Sequence, residues 1–216
     1  MDFPIEEALR YMGAAGADAA VREHAAQVAH RLSNEIRPSS RAIVFPVERS
    51  EERVILGEIC LPGKMASTML SECREAALLA CTLGFSFDSL LRTEQARNMA
   101  DAVILDACGS AYVEAACDQL EENLLKEHPG KYLTDRFSPG YGDLPLGLQA
   151  EFCRRLHLEK TMGITVRESM LLSPMKTVTA VVGISDKPQK ARIRGCEFCS
   201  FREDCTYRKE GKRCDG

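Results

Sequence analysis

Residues 94–127 run without proline and with one glycine, Gly109, and carry Ala, Leu, Val and Met on one face. That length and period predict a long helix, which limits what the rest of the chain can build around it. Strand-like runs gather on either side of this helix rather than alternating with helices. Ala42–Val47 and Val54–Leu61, separated by the charged Glu48–Arg53, predict a hairpin before it; Lys131–Phe137, Ile164–Leu172 and Thr177–Ile184 follow it. Without a repeating strand–helix unit, the chain reads as α+β and not as a doubly wound parallel sheet.

Other helices are marked by spacing and by their ends. Residues 4–13 predict a short one. From Asp18 to Ile36 the apolar positions Val21, Ala25, Val28, Leu32 and Ile36 recur at three- and four-residue steps, and Pro38 ends the run. Met65–Leu83 is apolar at helical spacing and predicts a helix stopping at Gly84, with Ser86 or Asp88 capping the next. A further helix is expected from Pro145 to Leu156. Gly109, Ser110 and Ala111 mark a close approach to the long helix, by a packed neighbour or by a ligand.

Composition excludes several classes. The chain has 216 residues, 45% hydrophobic and 28% charged, with a formal net charge of -4. It therefore generates no global basic field of the kind that recruits nucleic acid, and we expect none as a partner. The segment Lys187–Gly216 is different, with nine Lys/Arg against five Asp/Glu. It is either a solvated basic surface or a contact for an acidic protein, an anionic cofactor or RNA. No stretch approaches the roughly 20 apolar residues of a membrane span, and the first residues lack a basic start and apolar run. A cytosolic protein is expected, with its ten cysteines as thiols and ligands rather than disulfides. Cys60, Cys73, Cys81, Cys108, Cys117 and Cys153 stand singly among apolar neighbours and read as small buried hydrophobes.

The other four cysteines form a cluster: Cys196, Cys199, Cys205 and Cys214, spaced C-x2-C-x5-C-x8-C. Thiolates this close can face one soft cation or one iron–sulfur cluster. Zinc sites more often use two C-x2-C knuckles, and only the first pair here is one, so a [4Fe–4S] cluster is the leading expectation. Zinc and a redox-switch set of thiols are the alternatives. The division expected is a domain over 1–186 and a cysteine-rich tail over 187–216.

A second constellation lies at Arg136-Phe137-Ser138-Pro139-Gly140-Tyr141-Gly142-Asp143. Pro139-Gly140 favours a tight turn with glycine in a left-handed conformation. Arg136 can grip a carboxylate with two parallel hydrogen bonds, and Tyr141 can offer a ring face to a cation such as a sulfonium. The bland alternative is a turn that serves only the fold.

Arg136-x-x-Pro139-Gly140-Tyr141, then Gly163-Ile164-Thr165-Val166-Arg167-Glu168-Ser169-Met170-Leu171-Leu172-Ser173-Pro174, then Thr177-Val178-Thr179, resembles the activation domain of cobalamin-dependent methionine synthase. The likeness covers about residues 130–185. It implies helices packed around a twisted antiparallel sheet and a chain that works as a stand-alone relative of that domain. It also implies S-adenosylmethionine in the R-x-x-P-G-Y loop: Arg136 on the methionine carboxylate, Ser138 and Gly140 through their backbones, Tyr141 toward the corrin. The family's long-helix glutamate falls near Ser110, with Glu114 a turn away. The implied partner is a cobalamin-dependent methionine synthase, or another corrinoid methyltransferase, which carries the cobalamin and whose inert Co(II) state is repaired by one electron and one methyl group. A cluster in the tail would be a local electron source, since iron–sulfur centres reach roughly −700 mV. The cobalt performs the chemistry, so whether the chain counts as an enzyme stays open. The competing class is a metal-stabilised interaction module holding structural zinc.

Overall fold

The computed structural model describes residues 3–14, 16–50, 53–189, 203, 206–209 and 211. In chain order the elements are α1 (Ile5–Tyr11), α2 (Ala19–Glu35), β1 (Ser39–Ser50), β2 (Arg53–Leu56), β3 (Ile59–Pro62), α3 (Lys64–Met69), β4 (Cys73–Thr82), α4 (Gly84–Arg97) and α5 (Met99–Glu127). They continue with β5 (Tyr132–Leu133), α6 (Leu148–Arg155), α7 (Leu158–Met162), β6 (Thr165–Val166), β7 (Leu172–Ser173), β8 (Thr177–Ser185) and α8 (Thr206–Lys209). This is the α+β fold expected: helices and a six-stranded antiparallel sheet in the order β3-β2-β1-β4-β8-β5, with β6 and β7 forming a separate hairpin. Among the described residues no helix is long and apolar enough to cross a membrane.

Two compact, discontinuous units share the chain. The first comprises Met1–Arg41, Ala80–Asn123 and Cys153–Val178. Here Asp18 opens α2 by accepting the Val21 N–H at 3.0 Å. The Arg31 guanidinium on α2 meets the Glu94 carboxylate of α4 at 2.7 Å, which allows Glu94 to be only 4% exposed. Asn98 breaks the predicted helix over 94–127 into α4 and α5. Its backbone is extended, at φ −151° and ψ 105°, and its side-chain oxygen accepts the Ala100 N–H at 3.1 Å. Asparagine is a preferred cap, so this boundary had a sequence signal. The close approach expected at Gly109 is a packed neighbour: a Cβ there would lie 2.6 Å from Cε2 of the fully buried Phe87.

The second unit comprises Ala42–Leu79, Leu124–Phe152 and Thr179–Gly216, and holds most of the sheet. β1 pairs with β2 (Val47↔Leu56 to Ser50↔Arg53), and β2 turns at once into β3 (Leu56↔Ile59). The predicted strand 54–61 thus contains its own hairpin turn at Gly57-Glu58, where Gly57 has φ 62°. α3 packs against β2 and β3.

The structure corrects three further expectations: Ile164–Leu172 is the β6–β7 hairpin and not one strand, α4 starts at Gly84 with no cap from Ser86 or Asp88, and the helix expected over Met65–Leu83 is absent. Residues 65–83 are not one helix: only Lys64–Met69 is helical, and Cys73–Thr82 is the inner strand β4, between β1 and β8. Every residue from Ala76 to Thr82 is buried. A strand covered on both faces needs apolar residues at every position, so it carries neither alternation nor a helical stripe, and an unbroken apolar run fits either structure.

The six scattered cysteines are free thiols, and all but the partly exposed Cys60 are buried. Burial pushes the Cys108 thiol up to about 12 and those of Cys73 and Cys153 up to about 11. Cys73, Cys108 and Cys153 are therefore hydrophobes and not nucleophiles, because the reactive form is the thiolate.

Candidate ligand-binding loop

The loop after β5 is built outward from a buried anchor. β5 lies antiparallel to β8 (Tyr132↔Ser185, Leu133↔Ile184), and Thr134 continues the contact, its hydroxyl accepting the Gly183 N–H at 2.9 Å. Phe137 then bridges Val181 in both directions, donating its N–H at 3.0 Å and accepting at 2.8 Å, with its ring 1% exposed. The predicted strand 131–137 is therefore two short contacts with β8 rather than one ladder. Extended backbone alternates its side chains, so with Phe137 turned into the core, Arg136 and Ser138 lie on the opposite side. Both are partly exposed.

The turn follows the sequence. The Tyr141 N–H donates to the Ser138 carbonyl at 3.0 Å, Pro139 sits second and Gly140 third with φ 93°. That is the type II geometry which only glycine or asparagine tolerates at its third position. A Cβ on Gly140 would also come within 3.2 Å of Leu146 Cδ1. Two further bonds close the loop, Gly140 N–H to the Leu144 carbonyl at 2.9 Å and Leu144 N–H to the Tyr141 carbonyl at 2.9 Å, with Leu144 buried beneath. The N–H groups of Gly140 and Tyr141 are thus spent inside the loop. The Tyr141 ring stands 58% exposed.

Asp143 was present in the motif but its role was not read from it. Its carboxylate accepts the N–H groups of Lys64, at 2.6 Å, and Met65, at 3.2 Å, the first two residues of α3. Gly63 precedes that helix at φ 97° and has no side chain to cap it; a Cβ there would fall 2.6 Å from Asp143 Cγ. The loop therefore supplies the missing cap from about eighty residues away. The available signal was a helix start, Pro62-Gly63-Lys64, with no capping residue of its own. Asp143→Ala is expected to cost about 1 kcal/mol, or roughly 2–4 °C in melting temperature. Asp143→Asn, which keeps an acceptor, should lose about half of that. Equal melting of all three proteins would show that the cap contributes nothing.

Ser110, on α5 in the first unit, is already engaged. Its hydroxyl accepts from Lys176 Nζ at 2.8 Å, and the same ammonium pairs with Asp106 at 2.9 Å. A position faced by one ammonium does not recruit another, so the family's glutamate contact does not transfer to Ser110 itself. Cys196, Cys199, Cys205 and Cys214 lie outside the described residues. Among the described residues no group of three or more His, Cys, Asp or Glu side chains is placed to hold a metal.

The chain matches no protein-family profile and no curated protein. Among solved structures it is similar to the crystal structure of the MetH reactivation domain bound to AdoHcy, with a TM-score of 0.59 and 15% sequence identity over 98% of this chain and 78% of that one. At that identity the likeness is one of fold.

Proposed function

We propose that this protein binds S-adenosylmethionine at the Arg136–Tyr141 loop and serves the reductive reactivation of a cobalamin-dependent methionine synthase. The observation that carries this reading is the R-x-x-P-G-Y sequence folded as a type II turn, in a fold like that of the MetH reactivation domain, whose crystal structure holds AdoHcy. The chemistry of the loop suits the ligand. Arg136 supplies a planar guanidinium for the carboxylate. Tyr141 supplies an exposed π face for the sulfonium. The loop's own bonds use the N–H groups of Gly140 and Tyr141 and the carbonyls of Ser138 and Tyr141, so the backbone contribution falls to the Gly140 carbonyl, which suits the ligand's ammonium or hydroxyl donors. When bound, S-adenosylmethionine supplies a methyl group to the client's reduced cobalt and leaves as S-adenosylhomocysteine.

The repair also needs one electron. In this reading Cys196, Cys199, Cys205 and Cys214 hold a [4Fe–4S] cluster that delivers it, with zinc as the alternative occupant. Anaerobically prepared protein should then be brown, absorb broadly near 400 nm and bleach with dithionite. A colourless protein carrying one zinc would remove the electron-donor role.

A second reading, that of a zinc-stabilised interaction module, is favoured by the loop's internal hydrogen-bond closure, which a purely structural turn would also show. Calorimetry separates the two. S-adenosylmethionine should bind the unaltered protein, and Arg136→Ala should weaken it by at least about tenfold, as expected for a charge-assisted pair worth about 1.5–3 kcal/mol. No binding, even beside a corrinoid partner, would leave the second reading standing.

A further inference from the structure

The β6–β7 hairpin carries a methionine where hairpin geometry calls for glycine. Thr165 pairs with Ser173 and Val166 with Leu172, the Arg167 N–H donates to the Leu171 carbonyl at 2.9 Å, and the Met170 N–H to the Arg167 carbonyl at 2.9 Å. The three-residue loop Glu168-Ser169-Met170 thus ends in a left-handed residue, Met170 at φ 62°. That position ordinarily goes to glycine or asparagine. The strained side chain is not hidden: Met170 is 36% exposed and its neighbour Leu171 61%. A costly backbone that presents an apolar side chain to solvent points to a role for that side chain.

Beside the hairpin lies a groove of about 230 Å³, lined by Asp88, Leu91, Arg92 and Gln95 of α4 with Arg167 and Met175. Asp88 is committed, both oxygens accepting the Met175 N–H at 3.2 Å, which ties the chain after the hairpin to the helix. Arg92 and Arg167 are exposed, and their guanidinium groups have no hydrogen-bond or ion-pair partner among the described residues.

We propose that the hairpin tip and this groove form the docking surface for the corrinoid-carrying client, which presents a carboxylate to Arg92 and Arg167 and an apolar side chain to Met170, Leu171 and Met175. The identity of the client rests on the function proposed above. Several observations favour a protein occupant. The groove is smaller than the roughly 300–1,000 Å³ of small-molecule pockets, and exposed apolar side chains, Met170 and Leu171, stand on the hairpin. Arginine and methionine are the residues enriched at protein interfaces. Arg92 and Arg167 both line the groove, and guanidinium groups pair with carboxylates. A second copy of this chain fits poorly, because a twofold contact would bring four unpaired guanidinium groups together.

The test uses the full chain and its organism's cobalamin-loaded methionine synthase, with binding followed by interferometry at low and high salt. The unaltered chain should bind, more weakly as salt rises. Met170→Gly should melt no lower than the unaltered protein, since glycine relieves the backbone, yet bind the client at least about tenfold more weakly. Arg92→Glu with Arg167→Glu should lose at least about tenfold and most of the salt dependence. Calorimetry with S-adenosylmethionine on the same variants should match the unaltered chain, and that measurement alone decides the functional reading. Client binding that is absent, or unchanged in both variants, overturns the docking surface whatever the calorimetry shows. A dimer of this chain that Met170→Gly dissolves also overturns it, by identifying a different occupant.

Discussion

Replacing Gly183 with valine should lower the melting temperature by roughly 6–12 °C, about 3 kcal/mol for a protein of this size. Gly183 lies in β8, a strand buried along nearly its whole length. A Cβ there would meet Cys73 Sγ at 2.5 Å, Leu70 Cδ2 at 2.7 Å and Thr134 Cγ2 at 2.9 Å. All three neighbours are buried, so none can swing into solvent. Their displacement must be taken up by a close-packed interior, where an added methyl forces off-rotamer side chains. Alanine at 183 should show a smaller loss of the same origin. The mechanism predicts coupling: Cys73→Ala removes the nearest atom, so the double variant should be more stable than the sum of the two losses by about 1 kcal/mol. An alanine variant within about 0.5 kcal/mol of the unaltered protein would show that β8 has room this packing denies.

Raising the pH above about 9 should destabilise the fold steeply, and the buried thiols are the reason. Burial holds the Cys73 and Cys153 thiols at about 11 and Cys108 at about 12, with the Arg49 charge partly offsetting the effect at Cys73. In the unfolded chain a thiol ionises near 8.5. Below that pH both states keep their protons and these groups contribute no pH dependence. Above it the unfolded chain releases protons that the folded chain retains, so stability falls as pH rises. Each thiol contributes at most about 1.4 kcal/mol per pH unit, hence roughly 4 kcal/mol per unit for three, until the folded-state values are reached. Urea melts at pH 8, 9 and 10 under reducing conditions measure this slope. Cys108→Ala should be less stable at pH 8 but lose only about two thirds as much per pH unit. An unchanged slope in that variant would assign the alkaline loss to other groups.

Local signals were legible where one residue decides one feature. Asp18 caps α2 with its own carboxylate, and Pro139-Gly140 makes the turn that those two residues favour wherever they stand. The β4 strand failed for the opposite reason: its residues are apolar because both faces are covered, and the covering elements lie far away in the chain. Asp143 is similar. In the sequence it is one more polar turn residue, and only the folded chain brings it to the bare start of α3. The R-x-x-P-G-Y motif was readable as a string, but not the commitment of its N–H groups to the loop itself.

Periodicity and short-range chemistry settled the α+β class, most helices and the Pro139-Gly140 turn, because each depends on dihedral preferences and contacts within a few residues; the turns inside 54–61 and 164–172 fell in runs that read as single strands. Tertiary structure decided which apolar run became the inner strand, what Gly109 and Gly183 make room for, and which residues of the Arg136–Tyr141 loop turn into the core. Those depend on which distant surfaces meet, and close packing across long sequence separations leaves no periodic trace in the chain.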